Sequence, residues 1–199
     1  ATTLKLDSFG FDFNMSPGKQ FDYFEARTPG RFFVFEDRLR LGGFISTNYN
    51  RPFALNLFVD IETFFEDGRD SFRTEIKLEP RFRFNDHFSM NYEISLDDRD
   101  NDRGFAAFLD GEPIFGERDR RILVNSLEAD YNFNSLHALS LTFRHYWDTV
   151  TYKDNMLSLQ QNGRLTADTS ILKEDLPENP DINFSQWNID LSYSWQFTR

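Results

Sequence analysis

Phe72-Arg-Thr-Glu-Ile-Lys-Leu-Glu-Pro-Arg-Phe-Arg-Phe84 decides the fold. Phe72, Thr74, Ile76, Leu78, Pro80, Phe82 and Phe84 fall on one face, and Arg73, Glu75, Lys77, Glu79, Arg81 and Arg83 on the other. A helix mixes these two sets around its circumference; a strand separates them, because successive side chains point to opposite sides. The pattern recurs at 53–65, 88–96, 139–147 and 187–197, and more weakly at 39–49 and 123–133. A first segment near residues 2–13 slips phase between Leu6 and Phe9, which reads as a bulge or a sheet edge. About eight strands result.

The connections alternate in length. Asn50-Arg51-Pro52, Asn85-Asp86-His87 and Asn134-Ser135-Leu136 are short, whereas 14–37, 97–120 and 151–183 are long, with 66–71 between. Tight turns at one end and long loops at the other are the pattern of an up-and-down transmembrane β-barrel, with the long loops extracellular. The long-end connections hold 21 acidic and 11 basic residues, so nearly all of the net charge of −11 belongs to that end. The segment Trp187 to Phe197 rises roughly 25 Å if tilted by about 40°, which matches an outer-membrane apolar band. Aromatics at the strand ends define two lipid-facing girdles: Tyr49, Phe53, Phe84, Phe88, Phe133, Trp195 and Phe197 beside the short turns, and Phe65, Phe72, Trp147 and Trp187 at the far end.

Composition narrows the alternatives. With 24 Phe, 7 Tyr and 3 Trp among 199 residues, the chain is too aromatic for intrinsic disorder. No apolar run approaches the roughly 20 residues of a membrane helix. Zero cysteines exclude disulfides and thiolate metal sites, and the acidic balance argues against a nucleic-acid partner. Ala1-Thr2-Thr3-Leu4-Lys5 has neither the basic nor the apolar part of a signal peptide, and a processed chain would look the same. A soluble lipocalin-like barrel alternates too, with its apolar face inward; the long strands, one-sided loops and strand-end aromatics favour lipid outside.

The polar face is expected to line the lumen through Asp60, Glu62, Arg73, Glu75, Lys77, Glu79, Arg81, Arg83, Asn91, Glu93, Arg144 and Asp190. If the turn at 85–87 sets register, Arg81 faces Asn91 and Lys77 faces Ser95. Such a two-signed ladder braces a narrow lumen or lines a pore, according to strand number. Asp98, Asp100 and Asp102 are a weak metal-site candidate, because the EF-hand positions for Gly and Glu hold Arg103 and Leu109. His87, His137 and His145 lack metal-ligand spacing and triad context in the linear sequence, so no enzyme, catalytic residue or cofactor is expected.

Several stretches resemble a known family: Phe21 to Phe33, Ser46 to Ala54, Ile114 to Asp119, Asn125 to Phe133, Leu139 to Trp147, and Asn188 to Phe197. They are similar to the C-terminal β-barrel of an uncharacterised Bacteroidota outer-membrane protein family that carries an N-terminal family-9-like carbohydrate-binding module. The resemblance implies that residues 1–199 are the C-terminal portion of a longer outer-membrane chain and part of a larger barrel. It also implies that a final strand follows the Trp-Gln-Phe segment, and it points to glycan handling. The resulting expectation is an all-β, antiparallel transmembrane barrel of the bacterial outer membrane, porin-like or ligand-associated and non-enzymatic. Its partners would be outer-membrane lipid and lipopolysaccharide, with other outer-membrane proteins and carbohydrate as further candidates. The alternatives are an assembly component with a plugged lumen and the soluble calyx.

Overall fold

The computed structural model describes residues 6–18, 20–35, 37–65 and 70–197. Eight strands lie side by side in chain order: β1 (Ser8–Ser16), β4 (Asp37–Ser46), β5 (Phe53–Phe65), β6 (Phe72–Arg83), β7 (Phe88–Leu109), β8 (Glu112–Asn134), β9 (His137–Leu159) and β11 (Ile182–Trp195). Every adjacent pair is antiparallel. A small hairpin, β2 (Gln20–Asp22) with β3 (Phe33–Phe35), lies between β1 and β4 in sequence. β10 (Leu165–Leu172) pairs with the far part of β9, and β11 pairs with its near part. The sheet is open among the described residues, with β1 at one edge and β11 at the other.

Short turns set the register as the sequence predicts: Arg81 pairs with Asn91, and Lys77 with Ser95. The phase slip before Phe9 is a strand start. Leu6 sits in the left-handed region (φ 65°), and from Ser8 to Ser16 the pairing with β4 runs without a shift. β1 is thus an edge strand rather than a bulged one. Residues 1–5 of that predicted segment lie outside the described residues, as do 66–69 of the connection 66–71.

The main departure is at the long-loop end. The expected loop 97–120 is a continuation of β7 and β8, strands of 22 and 23 residues. They join through Asp110-Gly111, both at positive φ, the geometry of a two-residue hairpin turn. β9 extends equally far. Register shifts between Arg99 and Asp102 and between Phe105 and Ala107 break the simple alternation there.

These extensions carry a conventional core. Ala26, Phe33, Phe115, Leu157 and Leu159 pack in one buried cluster, so the β2–β3 hairpin lies against the extension. Ile114, Val150, Tyr152, Met156 and Leu176 form a second, which seats the β10 end. Val34 N–H donates to the Gly163 carbonyl at 2.8 Å and ties the hairpin to the β9–β10 turn. Arg118 joins the parts: its guanidinium reaches Asp102 at 3.0 Å, the Tyr152 hydroxyl at 2.9 Å and Glu25 of the hairpin segment at 3.6 Å. A Cβ at Gly104 would collide with that guanidinium, so the glycine makes room for it. Burial raises the Tyr152 phenol above its ordinary value, because the phenolate would be poorly solvated.

Phe115 is fully buried. Phe115→Ala should cost about 3–5 kcal/mol of local stability. The expected readout is faster amide exchange in 20–35 and 157–165, with the β5–β6 amides unchanged. The raised Tyr152 value carries a second expectation. Its stabilisation is present below the unfolded tyrosine value and is lost as pH rises through the higher folded value. Tyr152 should therefore ionise late, seen as the difference between spectrophotometric titrations of the unaltered chain and Tyr152→Phe, together with loosening of this end.

Candidate functional site: the charged face of the sheet

Register places all twelve expected lumen residues on one face. Ala54 faces Arg81, Asn56 faces Glu79, Asp60 faces Glu75 and Glu62 faces Arg73. Asn91 pairs with Arg81, Arg83 with Ser89, and Asn91 with Glu128 beyond. Arg144 and Asp190 lie on the same face of β9 and β11.

The charges pair along the ladder. Arg73 grips Asp97 through two bonds of 2.8 and 2.9 Å and also meets Glu75 at 2.9 Å. Arg99 adds a bond of 2.7 Å to the same carboxylate. Lys77 bridges Glu79 (2.6 Å) and Glu93 (3.2 Å), and the Asn56 amide donates to Glu79 at 2.9 Å. Arg40 meets Asp60 at 2.7 Å, Arg120 meets Asp148 at 2.7 Å, and Arg144 meets Asp190 at 3.3 Å. A bidentate arginine–carboxylate pair is both stronger and more directional than a lysine contact. The face is therefore braced crosswise as well as charged.

Two recesses open on it. One, of about 440 Å³, is lined by Tyr49, Glu79, Arg81, Asn91, Glu93 and Glu128 among others. A smaller one, of about 260 Å³, lies over Phe58, Asp60, Glu75, Lys77 and Glu79. Tyr49 corrects its sequence assignment to the lipid-facing girdle. Its ring lies under the Arg81 guanidinium, 5.6 Å from ring centre to Cζ, and its hydroxyl meets the Asn56 amide. Tyr49 belongs to a turn, where strand alternation no longer dictates direction, and a cation–π contact fixes it on the polar side.

The other ten girdle residues lie along the apolar face or its strand-end continuation. At the short-turn end the rings form a continuous row, by centroid distance: Phe53–Phe82 at 5.1 Å, Phe82–Phe84 at 6.0 Å, Phe84–Phe88 at 4.8 Å, Phe88–Tyr131 at 6.2 Å and Tyr131–Phe133 at 4.9 Å. On β9 and β11 the row continues with His137, Trp195 and Phe197. Phe65, Phe72, Trp147 and Trp187 mark the far end.

Exposure is inverted relative to a water-soluble protein. On strands with a neighbour on each side, the Asp97 and Asp148 side chains keep 14% and 10% of their surface, whereas Phe53 keeps 49% and Trp147 keeps 40%. No second layer covers the apolar face among the described residues.

Asp98, Asp100 and Asp102 do not converge, which corrects the metal-site expectation. Asp98 pairs with Arg121 at 2.6 Å and Asp102 with Arg118 at 3.0 Å, while the register shift after Arg99 separates them. No group of three His, Cys, Asp or Glu side chains suited to a metal occurs among the described residues.

Sequence reasoning missed a second polar constellation, on the apolar face. Tyr92 Oη donates to Asn125 Oδ1 at 2.7 Å, Asn125 Nδ2 lies 3.4 Å from His145 Nδ1, and His145 Nε2 lies 3.1 Å from Ser185 Oγ. The Asn125–His145 pairing was accessible, since the turn at 134–136 sets those residues opposite. Ser185 follows a long connection that fixes no register.

Fold and faces together define an all-β protein built on one antiparallel, two-faced sheet. The chain belongs to a family described as a domain of unknown function (DUF5916), whose model matches residues 1–199. No curated protein and no solved structure gave a significant match.

The network makes a testable demand. Asp97→Asn should remove charge-assisted bonds from Arg73 and Arg99 and cost about 1–3 kcal/mol. A lower denaturation midpoint is the readout, and Asp97→Glu, which keeps the carboxylate for both arginines, should lose less than Asp97→Asn.

Proposed function

We propose that this chain forms part of the wall of an integral outer-membrane β-barrel, its apolar face against lipid and its charged face toward an aqueous interior. The inverted exposure carries the reading. In the middle of the sheet Phe53, Ile61, Phe72 and Ile76 are exposed while Glu62, Arg73 and Asp97 on the opposite face are mostly covered, an arrangement unstable in water and stable against hydrocarbon. The aromatic row at the short-turn end supports it, because amphipathic rings favour the headgroup level. So does the placement of the buried clusters: among the described residues both lie at the β7–β9 extension, while Ala54 and Glu62 in the two-faced part are buried outside them.

The edge strands add a constraint. β1 and β11 each have one neighbour among the described residues. Unpaired backbone groups cost several kcal/mol each in a bilayer, so both edges need partners there. A sector of a larger barrel meets that need, which agrees with the resemblance to the C-terminal barrel of a longer Bacteroidota protein. The same resemblance, through its carbohydrate-binding module, makes glycan the solute or ligand class for this interior.

The lumenal role is non-enzymatic. Its charges are committed to one another, which favours bracing over tight capture of an ion. That self-neutralisation also supports the second reading, an assembly component whose lumen is plugged.

The full-length chain, with every tryptophan except Trp187 replaced by Phe and reconstituted in liposomes, should show fluorescence quenched by brominated acyl chains and little affected by aqueous iodide. The opposite ranking would return the protein to the soluble class. Planar-bilayer recording separates the two membrane readings, because a plugged scaffold passes no stable current.

A further inference from the structure

The chain Tyr92–Asn125–His145–Ser185 crosses β7, β8, β9 and β11 on the apolar face, beside the row of Leu127, Phe143 and Ile189. Four polar groups there are costly against lipid, and an ionisable one is the costliest. Their order is specific. The imidazole contacts a serine hydroxyl through Nε2 at 3.1 Å and an asparagine amide through Nδ1 at 3.4 Å. Nucleophile, base and orienting group stand in that relation in serine and cysteine hydrolases of unrelated folds. Ser185 is exposed, whereas His145 and Asn125 are half-buried. Tyr92 anchors the orienting amide.

We propose that Ser185, His145 and Asn125 form a serine-hydrolase triad on the outward face, acting on acyl esters of membrane lipids. The level of the site selects the substrate. Toward the short turns the neighbouring rows are apolar: Leu127, Phe143 and Ile189. Toward the long-loop end they turn polar within four residues, with Arg121, Thr149 and Asn183 in register and Arg121 paired to Asp98. Trp147 and Trp187 flank the site. A boundary between an apolar band and a charged row, marked by tryptophan, is where the ester bonds of a bilayer lipid lie. The lipid clause rests on the proposed membrane placement; the serine chemistry does not.

The amide can serve either imidazole tautomer. Turned over, Asn125 accepts from the His145 Nδ1–H through Oδ1 and donates through Nδ2 to the Tyr92 hydroxyl, which accepts as readily as it donates. Nε2 then carries the lone pair facing Ser185. Ser185 Oγ attacks the acyl carbonyl and its proton passes to Nε2. The ester C–O bond breaks, and the leaving alcohol takes that proton. Water then adds to the acyl-serine, giving its proton to Nε2, and the C–Oγ bond breaks with return of the proton to Oγ. The products are a carboxylic acid and an alcohol. Asn183 is suited to the oxyanion: it lies two residues from Ser185 on the same face, and its Oδ1 accepts from Trp147 Nε1 at 2.9 Å, which leaves its amide N–H groups for a ligand.

The test uses the full-length chain in detergent and in phospholipid vesicles. A fluorophosphonate probe should label Ser185, located by peptide mass spectrometry, and the label should vanish in His145→Ala. Hydrolysis of p-nitrophenyl butyrate should fall by about a thousandfold or more in Ser185→Ala and His145→Ala. Asn183→Ala should lower kcat by about 10²–10³ with KM little changed. Asn125→Asp should retain turnover that Asn125→Leu loses through kcat, as befits a positioning residue. Far-UV circular dichroism of each variant controls for folding, and probe labelling of the unaltered chain needs no variant. Absence of label on Ser185 overturns the triad. Labelling and butyrate cleavage without fatty-acid release from the vesicles overturns the lipid substrate and keeps the hydrolase. Labelling by a chain that does not enter liposomes overturns the membrane placement instead.

Discussion

Cross-strand register governs everything else in this molecule. Side-chain direction alternates with a period of two, so slipping one pair by one residue would carry every charge on that strand to the apolar side. Three tight turns, near 50–52, 85–87 and 134–136, forbid that slip. They gather Arg73, Asp97, Lys77 and Glu93 into one braced ladder, and Phe53, Phe82, Phe88 and Tyr131 into one aromatic row. The same turn that aligns Tyr131 with Leu139 also sets Asn125 opposite His145. Bracing, apolar belt and the polar chain on the outer face are thus three results of a single geometric rule.

That rule explains what the sequence made legible. The eight side-by-side strands, their order and the shared face of the residues expected in a lumen follow from alternation plus turn length. The pairing of Arg81 with Asn91 and of Lys77 with Ser95 needed only the position of one turn. Legibility failed where alternation failed. Bulges near Arg99–Asp102 and Phe105–Ala107 hid the extension of β7 and β8 behind the look of a charged loop. Tyr49 was misplaced because a turn residue obeys its contacts and not its parity. Asp98, Asp100 and Asp102 looked like ligands in a line, yet arginines on β8 claim two of them. Ser185 was out of reach for a different reason. The connection from β9 to β11 contains β10 and a short 3-10 turn, Lys173–Asp175, and no local rule counts register across such a path.

The two faces also divide the chemistry. Charges on the polar face satisfy one another, and in the proposed placement this limits what they offer a passing solute. On the apolar face polar groups are fewer: the Tyr92–Asn125–His145–Ser185 chain, the Asp98–Arg121 pair toward the long-loop end, and the His137–Tyr193 contact by the short turns. In the proposed membrane placement polarity is penalised, which makes the Tyr92–Asn125–His145–Ser185 cluster conspicuous, whereas the same four residues in a soluble loop would mean little.

The β7–β9 extension has a thermal consequence. Its clusters around Phe115 and Met156 are held by expulsion of water, a force that weakens on cooling. In the proposed placement the embedded part of the sheet has no water to expel; van der Waals packing and backbone bonding hold it, with a different temperature dependence. One continuous set of strands therefore passes through two solvents, and chilling would relax the projecting tip while the buried stretch of the same strands stays firm.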